Sequence, residues 1–97
     1  MTAFFVATAK VKSPEKFQEY ASKAGASIAP HGGELVLRGK ADDVLAGSIA
    51  PHETVGIIKF PDADALSSWF NSAAYQEIVP LRNEAADITI SSYVVPA

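Results

Sequence analysis

One arginine in the middle of the chain is of a type and at a position that suit ligand binding. Arg38 ends an alternating run directly before Gly39, and a guanidinium placed there can hold a carboxylate or phosphate through two parallel hydrogen bonds. The alternative is a structural ion pair with Glu34, Asp42 or Asp43. Arg38 is therefore a candidate ligand-binding residue, and both interpretations remain open at this point.

Aromatic residues and a second arginine form another candidate group in the C-terminal half. Tyr75 and Arg82 are seven residues apart, so they share a helix face if Pro80 bends the helix only mildly. With Trp69 and Tyr20 they would line a pocket between helices and sheet that suits an anionic or aromatic ligand. The alternative is that the aromatic residues are core residues and that Arg82 caps a carbonyl or pairs with an acid.

The two histidines are weaker candidates for catalysis. His31 and His52 follow Pro30 and Pro51 in segments that read as loops, and an imidazole can act as an acid or base near neutral pH. Exposed loop histidines without a function are the commoner case. Their spacing matches no metal-ligand motif, so the sequence predicts no metal site.

Composition excludes several classes of protein. The 97 residues fit one domain, spanning 1–97, with a net charge of −3 and eight scattered Lys and Arg residues, which argues against a nucleic-acid partner. There is no cysteine, and no Gly-rich phosphate loop or G-x-S-x-G turn is present, so we expect no cofactor. Without a signal peptide or a long apolar run, we expect a cytoplasmic protein that does not enter the membrane.

Hydrophobic patterning predicts the elements that must position these side chains. A helix begins with Ser13 as N-cap and ends near Pro30 to Gly32, with Gly32 or Gly33 as the left-handed stop. A second helix follows Asp62, and a third begins at Ala73 and is kinked or broken near Val79, just before Pro80. Strands are predicted at residues 3–11, 53–60 and 88–95, and a further one at residues 34–38 resumes at 43–47 after residues 39–42, which form either a tight turn or a bulge in one long strand.

This order, with strand and helix alternating around a central hairpin, is the ferredoxin-like βαββαβ arrangement of the α+β class. It gives a four-stranded antiparallel sheet with the helices on one face. Phe4 and Val6 would nevertheless oppose Phe5 and Ala7, so the uncovered face is apolar as well. We therefore expect a homodimer through the sheet face, a dimeric α+β barrel. The alternative is a monomer with one partly solvated face.

The chain resembles the uncharacterised DUF1330 family over nearly its whole length. The resemblance rests on the order and spacing of Ser13-Pro14, Phe17, Tyr20, Gly32-Gly33, Arg38-Gly39, Val44-Leu45-Ala46-Gly47, Phe60-Pro61-Asp62, Trp69-Phe70, Ser72, Tyr75 and Pro80-Leu81-Arg82. It implies a dimeric α+β barrel, the fold of a wider group that includes cofactor-independent monooxygenases. The family implies no established activity. Two functions stay open: a small-molecule binding protein or cofactor-independent enzyme, with His31 or His52 as base, and a non-catalytic structural or interaction module.

Overall fold

A four-stranded antiparallel sheet organises the computed structural model, which describes residues 1–48 and 53–96. The strands are β1 Thr2–Val11, β2 Glu34–Lys40, β3 Thr54–Phe60 and β4 Ala86–Val95. They lie in the order β2-β3-β1-β4, and each strand is antiparallel to its neighbours in the sheet. The helices are α1 Pro14–Ile28, α2 Ala63–Phe70, α3 Ala73–Gln76 and α4 Val79–Ala85, and a 3₁₀ turn spans Ala29–His31. This is the ferredoxin-like fold that the element order predicts.

The helix starts predicted from capping residues are confirmed by their hydrogen bonds. The Ser13 side chain accepts from the backbone N–H of Lys16 at 3.5 Å, and Asp62 accepts from that of Ala65 at 2.8 Å. Ser72 caps α3 in the same way. The α1 segment is terminated by Gly32, whose φ of 78° lies in the left-handed region.

Pro80 breaks the C-terminal helical segment rather than kinking it. Helix α3 ends at Gln76, and α4 starts at Val79 with Pro80 in its first turn. A proline is tolerated there because the first-turn N–H groups have no partner within the helix. Tyr75 and Arg82 therefore lie on separate helices, not on one face of a mildly bent helix.

The predicted strand at residues 43–47 is wrong. Strand β2 instead continues through the expected break to Lys40, and residues 41–48 have no regular secondary structure. The Asp43 carboxylate accepts from the backbone N–H of Val44 at 2.8 Å, a local bond that competes with strand pairing. The irregularity in β2 lies between Leu35 and Leu37, not at residues 39–42.

The helices cover one face of the sheet and leave the other open. On the covered face, Phe60, Trp69 and Tyr75 are the largest fully buried side chains. On the other face, Phe4 and Val6 are only half-buried, and no described helix packs over them. Among the described residues, no helix has the length and apolarity needed to cross a bilayer.

Candidate functional site

A cleft separates helix α1 from the sheet. It consists of two adjoining cavities, of about 210 and 400 Å³, which share Ala7, Ala21, Arg38 and Gly56. We call this space the α1 cleft. The residues that enclose its inner part include Phe5, Tyr20, Ile28, Ile58, Trp69 and Ile90. The residues at its outer part, the mouth, include Phe17, Arg38, Lys40 and Thr54.

Small residues keep the cleft open. Ala7 on β1 and Gly56 on β3 form its floor, and Ala21 and Gly25 of α1 form its roof. A Cβ atom added at Gly25 or Gly56 would meet no other atom within 4 Å. Larger side chains at these positions would fill the space, so the width of the cleft follows directly from the residue types.

Arg38 lies at the mouth, on the edge strand β2 opposite Gly56. Its side chain is exposed, and within the described ranges it has no carboxylate at ion-pair distance. The structural ion pair with Glu34, Asp42 or Asp43 is therefore not formed there. Lys40 lies two residues further along the strand and, by the alternation of side chains, on the same face.

A chain of hydrogen bonds links three of the predicted site residues. The Tyr20 and Tyr75 hydroxyl oxygens are 2.8 Å apart, and Arg82 donates to the Tyr75 hydroxyl over 3.1 Å. Burial raises the pKa of Tyr20 far above its usual value, and the hydrogen bond to Tyr75 acts in the same direction, whereas Arg82 lowers it. Tyr20 is therefore a neutral phenol throughout the physiological pH range.

Trp69 is a rigid wall of the inner cleft. Its indole N–H donates to the Ser27 hydroxyl over 2.9 Å, and that hydroxyl donates to the carbonyl of Ala24 over 2.7 Å. The indole ring stacks on Phe5 with centroids 4.9 Å apart and the planes tilted by 15°. Packing and hydrogen bonding together fix the orientation of this side chain.

The structure divides the predicted ligand-binding residues between two places. Tyr20 and Trp69 line the inner cleft, and Arg38 lies at its mouth. Tyr75 is fully buried on the far side of Tyr20, and Arg82 lies beyond it, so neither contributes to the cleft lining. The assignment of Arg82 as an anchor for a ligand has no support in this geometry.

Of the two histidines, His31 lies in the part of the chain that the structure describes. His31 ends the 3₁₀ turn, and its Nδ1 is 3.3 Å from the carbonyl oxygen of Ser27. It is partly buried and does not line the α1 cleft. His52 lies outside the described residues, so its role stays a prediction. In residues 1–48 and 53–96 no cluster of side chains is suited to hold a metal ion.

Sequence reasoning alone did not assign Lys40 or the small residues of the cleft to a binding site. The i, i+2 spacing of Arg38 and Lys40 on a strand was sufficient to place both on one face. An isolated glycine inside a strand, such as Gly56, marks a site where another group approaches closely. The alanines give no such signal, since alanine is equally common in packed cores.

A third cavity, of about 420 Å³, lies between α2 and the end of β4. Its lining has no charged side chain among the described residues. Trp69 and Ile90 line both this cavity and the α1 cleft, so they lie between the two spaces. The cationic groups of the site thus belong to the α1 cleft alone.

The sequence profile of a family described as a domain of unknown function, DUF1330, matches residues 2–95. A search of curated proteins found no match.

Three solved structures are similar to the chain over almost its whole length. A protein of unknown function from Rhodopseudomonas palustris has 20% identity and a TM-score of 0.77, covering 98% of this chain and 84% of that one. The hydroxynitrile lyase from Passiflora edulis has 16% identity and a TM-score of 0.75, covering 98% and 94%. A dimeric ferredoxin-like protein of unknown function from Thermobifida fusca has 10% identity and a TM-score of 0.67, covering 98% and 92%. At these identities the likeness establishes the fold.

Proposed function

The chain belongs to the DUF1330 family, and we propose that it binds a small, largely apolar molecule in the α1 cleft. One observation carries the proposal: α1 spans the sheet over alanine and glycine, which leaves a cleft between two otherwise well-packed layers. Small-molecule sites are concave and mostly apolar, with a few polar groups that fix orientation. The α1 cleft has both properties. A module that acts only through its surface would have no need of such a space.

Binding is better supported than acid–base catalysis. The described residues that line the cleft include no carboxylate and no histidine. Thr54 uses its hydroxyl to donate to the carbonyl of Ala9 over 3.2 Å, and Tyr20 is held neutral by its raised pKa. A general base needs a pKa near the working pH and an accessible lone pair. The lyase from Passiflora edulis shares the fold, but fold does not carry activity with it.

A ligand titration tests the proposal, together with a variant whose added side chain fills the cleft. We would titrate ¹⁵N-labelled protein with 4-phenylbutanol, a neutral aromatic alcohol, and follow the amide resonances. The expected shifts cluster on α1 and β3 around Ala21 and Gly56. The Gly56→Val variant places a branched side chain in open space on a strand, which suits its β-propensity. It should fold normally and lose binding.

Ser92→Val is the matched control, because it adds bulk to β4 outside the α1 cleft. It should bind 4-phenylbutanol like the unmodified protein. If Gly56→Val binds equally well, or if the shifted amides surround the cavity between α2 and β4, the α1 cleft is not the binding site.

We further propose that the chain forms a homodimer through the open face of the sheet. The register places apolar side chains on this face, among them Phe4, Val6, Leu37, Val55, Ile57, Tyr93 and Val95. A two-fold axis lets such a patch cover its own copy, and the similar protein from Thermobifida fusca is dimeric. The α1 cleft lies on the opposite face, so this packing would leave it accessible in both subunits.

Native mass spectrometry tests the dimer. Ile57→Lys places a charge in the middle of the open face, directly opposite Val6, and should give a monomer. Ala26→Lys introduces the same charge at an exposed position on α1 and should leave the dimer intact. A monomeric unmodified protein, or a dimer that tolerates Ile57→Lys, would contradict packing through this face.

A further inference from the structure

We infer that the ligand of the α1 cleft is a carboxylate, held at the mouth by Arg38 and Lys40, with its apolar part directed toward Trp69. The inference rests on the proposed binding function and adds the class of ligand and its orientation.

Two cationic side chains lie at the mouth, and neither has an anionic partner among the residues that the structure describes. Arg38 and Lys40 project from the same face of β2 and both line the outer cavity. Three other lysines, Lys12, Lys16 and Lys23, each pair with a carboxylate at 3.3 to 3.6 Å. Within the described ranges, Arg38 and Lys40 have no such pair. Two uncompensated cations on one side of a cleft attract an anion.

The interior of the cleft has the opposite character. Beyond Arg38 the walls are the apolar side chains of Phe5, Ile58, Trp69 and Ile90. A fully ionic ligand would lose its hydration there without gaining partners. A ligand that is charged at one end and apolar at the other matches both parts of the cleft. The cavity between α2 and β4 lacks the cationic end and does not meet this description.

The backbone groups nearby favour a carboxylate over a phosphate. Phosphate sites commonly use free N–H groups at a helix N-terminus or in a backbone nest. The first turn of α1, beside Phe17, offers few of them. Pro14 has no N–H, Lys16 donates to the Ser13 hydroxyl, and Phe17 donates to the Ser13 carbonyl at 2.8 Å. The guanidinium fork of Arg38 remains, and it matches a planar carboxylate bidentately.

The test compares an acid with its neutral analogue. Trp69 is the single tryptophan of the chain and lines the inner cleft, so its fluorescence reports occupancy directly. At low salt, 4-phenylbutyrate should bind at least about tenfold more tightly than 4-phenylbutanol, which carries the same ring without the charge.

Arg38→Ala should remove most of this preference, and its circular dichroism spectrum and melting temperature should match those of the unmodified protein, which shows that the variant is folded. Lys40→Ala should reduce the preference about threefold, because a flexible ammonium orients a carboxylate less well than a guanidinium. Lys23→Ala is the matched control. It removes an exposed cation of α1 that lies outside the cleft lining, and the preference should stay intact.

Four outcomes would overturn the inference. Equal affinity for acid and alcohol would remove the carboxylate, and a preference that survives Arg38→Ala would remove Arg38 as its anchor; both results would leave the proposed cleft binding in place. Tighter binding of 4-phenylbutyl phosphate, also dependent on Arg38, would make the ligand a phosphate. If neither the acid nor the alcohol binds, the proposed function fails, and the inference fails with it.

Discussion

The layer between the helices and the sheet contains two regions built on opposite principles. Around Trp69, the space is filled by aromatic rings: Phe60 and Tyr75 are 0% exposed, and the Trp69 and Tyr75 ring centroids are 4.4 Å apart. Beneath α1, the facing residues are alanine and glycine, and a cleft remains. The same two layers of secondary structure thus give a dense aromatic cluster, in which Trp69 forms a wall of two cavities, and an open binding space beneath α1, and the difference follows from side-chain size.

Two glycines show the same contrast on the scale of a single atom. A Cβ at Gly33 would overlap the Ile28 side chain and lie 3.0 Å from the Phe60 ring, so this glycine allows close packing. A Cβ at Gly25 would meet nothing within 4 Å. One glycine is required by the core, and the other leaves space for the cleft. Glycine in a sequence therefore does not by itself reveal which region it belongs to.

Truncating an aromatic side chain in each region gives the largest expected difference. Trp69→Ala removes a ring that stacks on Phe5 and should lower the free energy of unfolding by about 3–5 kcal/mol. Phe17→Ala, at the half-open mouth of the cleft, should cost less than half as much, because its side chain is only partly buried. Urea unfolding followed by circular dichroism measures both. Similar losses at the two positions would mean that the cleft is as tightly packed as the core.

The buried phenol of Tyr20, at the border between the two regions, should make stability fall at alkaline pH. Its pKa in the folded protein is raised above the ordinary value of 10.0, chiefly by burial, so the folded state keeps a proton that the unfolded chain loses. The resulting contribution to stability is fully present below pH 10. Above pH 10 it should be lost at about 1.4 kcal/mol per pH unit.

Comparison with Tyr20→Phe isolates this contribution, because the two proteins differ only in the Tyr20 hydroxyl. The free energy of unfolding of the variant is lower by a constant amount, because the hydrogen bond to Tyr75 is lost. The difference in unfolding free energy between the two proteins should therefore be flat up to pH 10 and shrink above it. A difference that stays constant to pH 11 would show that Tyr20 ionises as readily in the folded protein as in the unfolded chain.

The fold was predictable because its signals are local. Ser13, Asp62 and Ser72 mark helix starts by their side-chain chemistry, and period-two alternation marks the strands. The strand expected at residues 43–47 does not form, because the alternating residues there have no partner strand. Whether a segment finds a partner depends on the whole sheet and not on its own pattern.

The site was less predictable, because it depends on which residues face each other across the two layers. Spacing suggested that Tyr75 and Arg82 belong together, and they do form a hydrogen bond, but the contact lies behind Tyr20 and away from the cleft. Arg38 and Trp69 are 31 positions apart in sequence, and only the packing of α1 on the sheet brings them to one cleft. No local pattern encodes that arrangement.

A substitution in the roof of the cleft has the smallest expected effect on the free energy of unfolding, and it should stabilise the protein. Gly25→Ala replaces a helix-interior glycine by the best helix former at a position with open space, so it should stabilise the protein by about 0.5–1 kcal/mol. Gly33→Ala is the counterpart in the packed region and should destabilise it by about 1–3 kcal/mol through overpacking against Ile28. Thermal unfolding measures both shifts. If Gly25→Ala lowers the melting temperature, α1 lies closer to the sheet than the cleft requires, and the contrast between the two regions is smaller than the two glycines indicate.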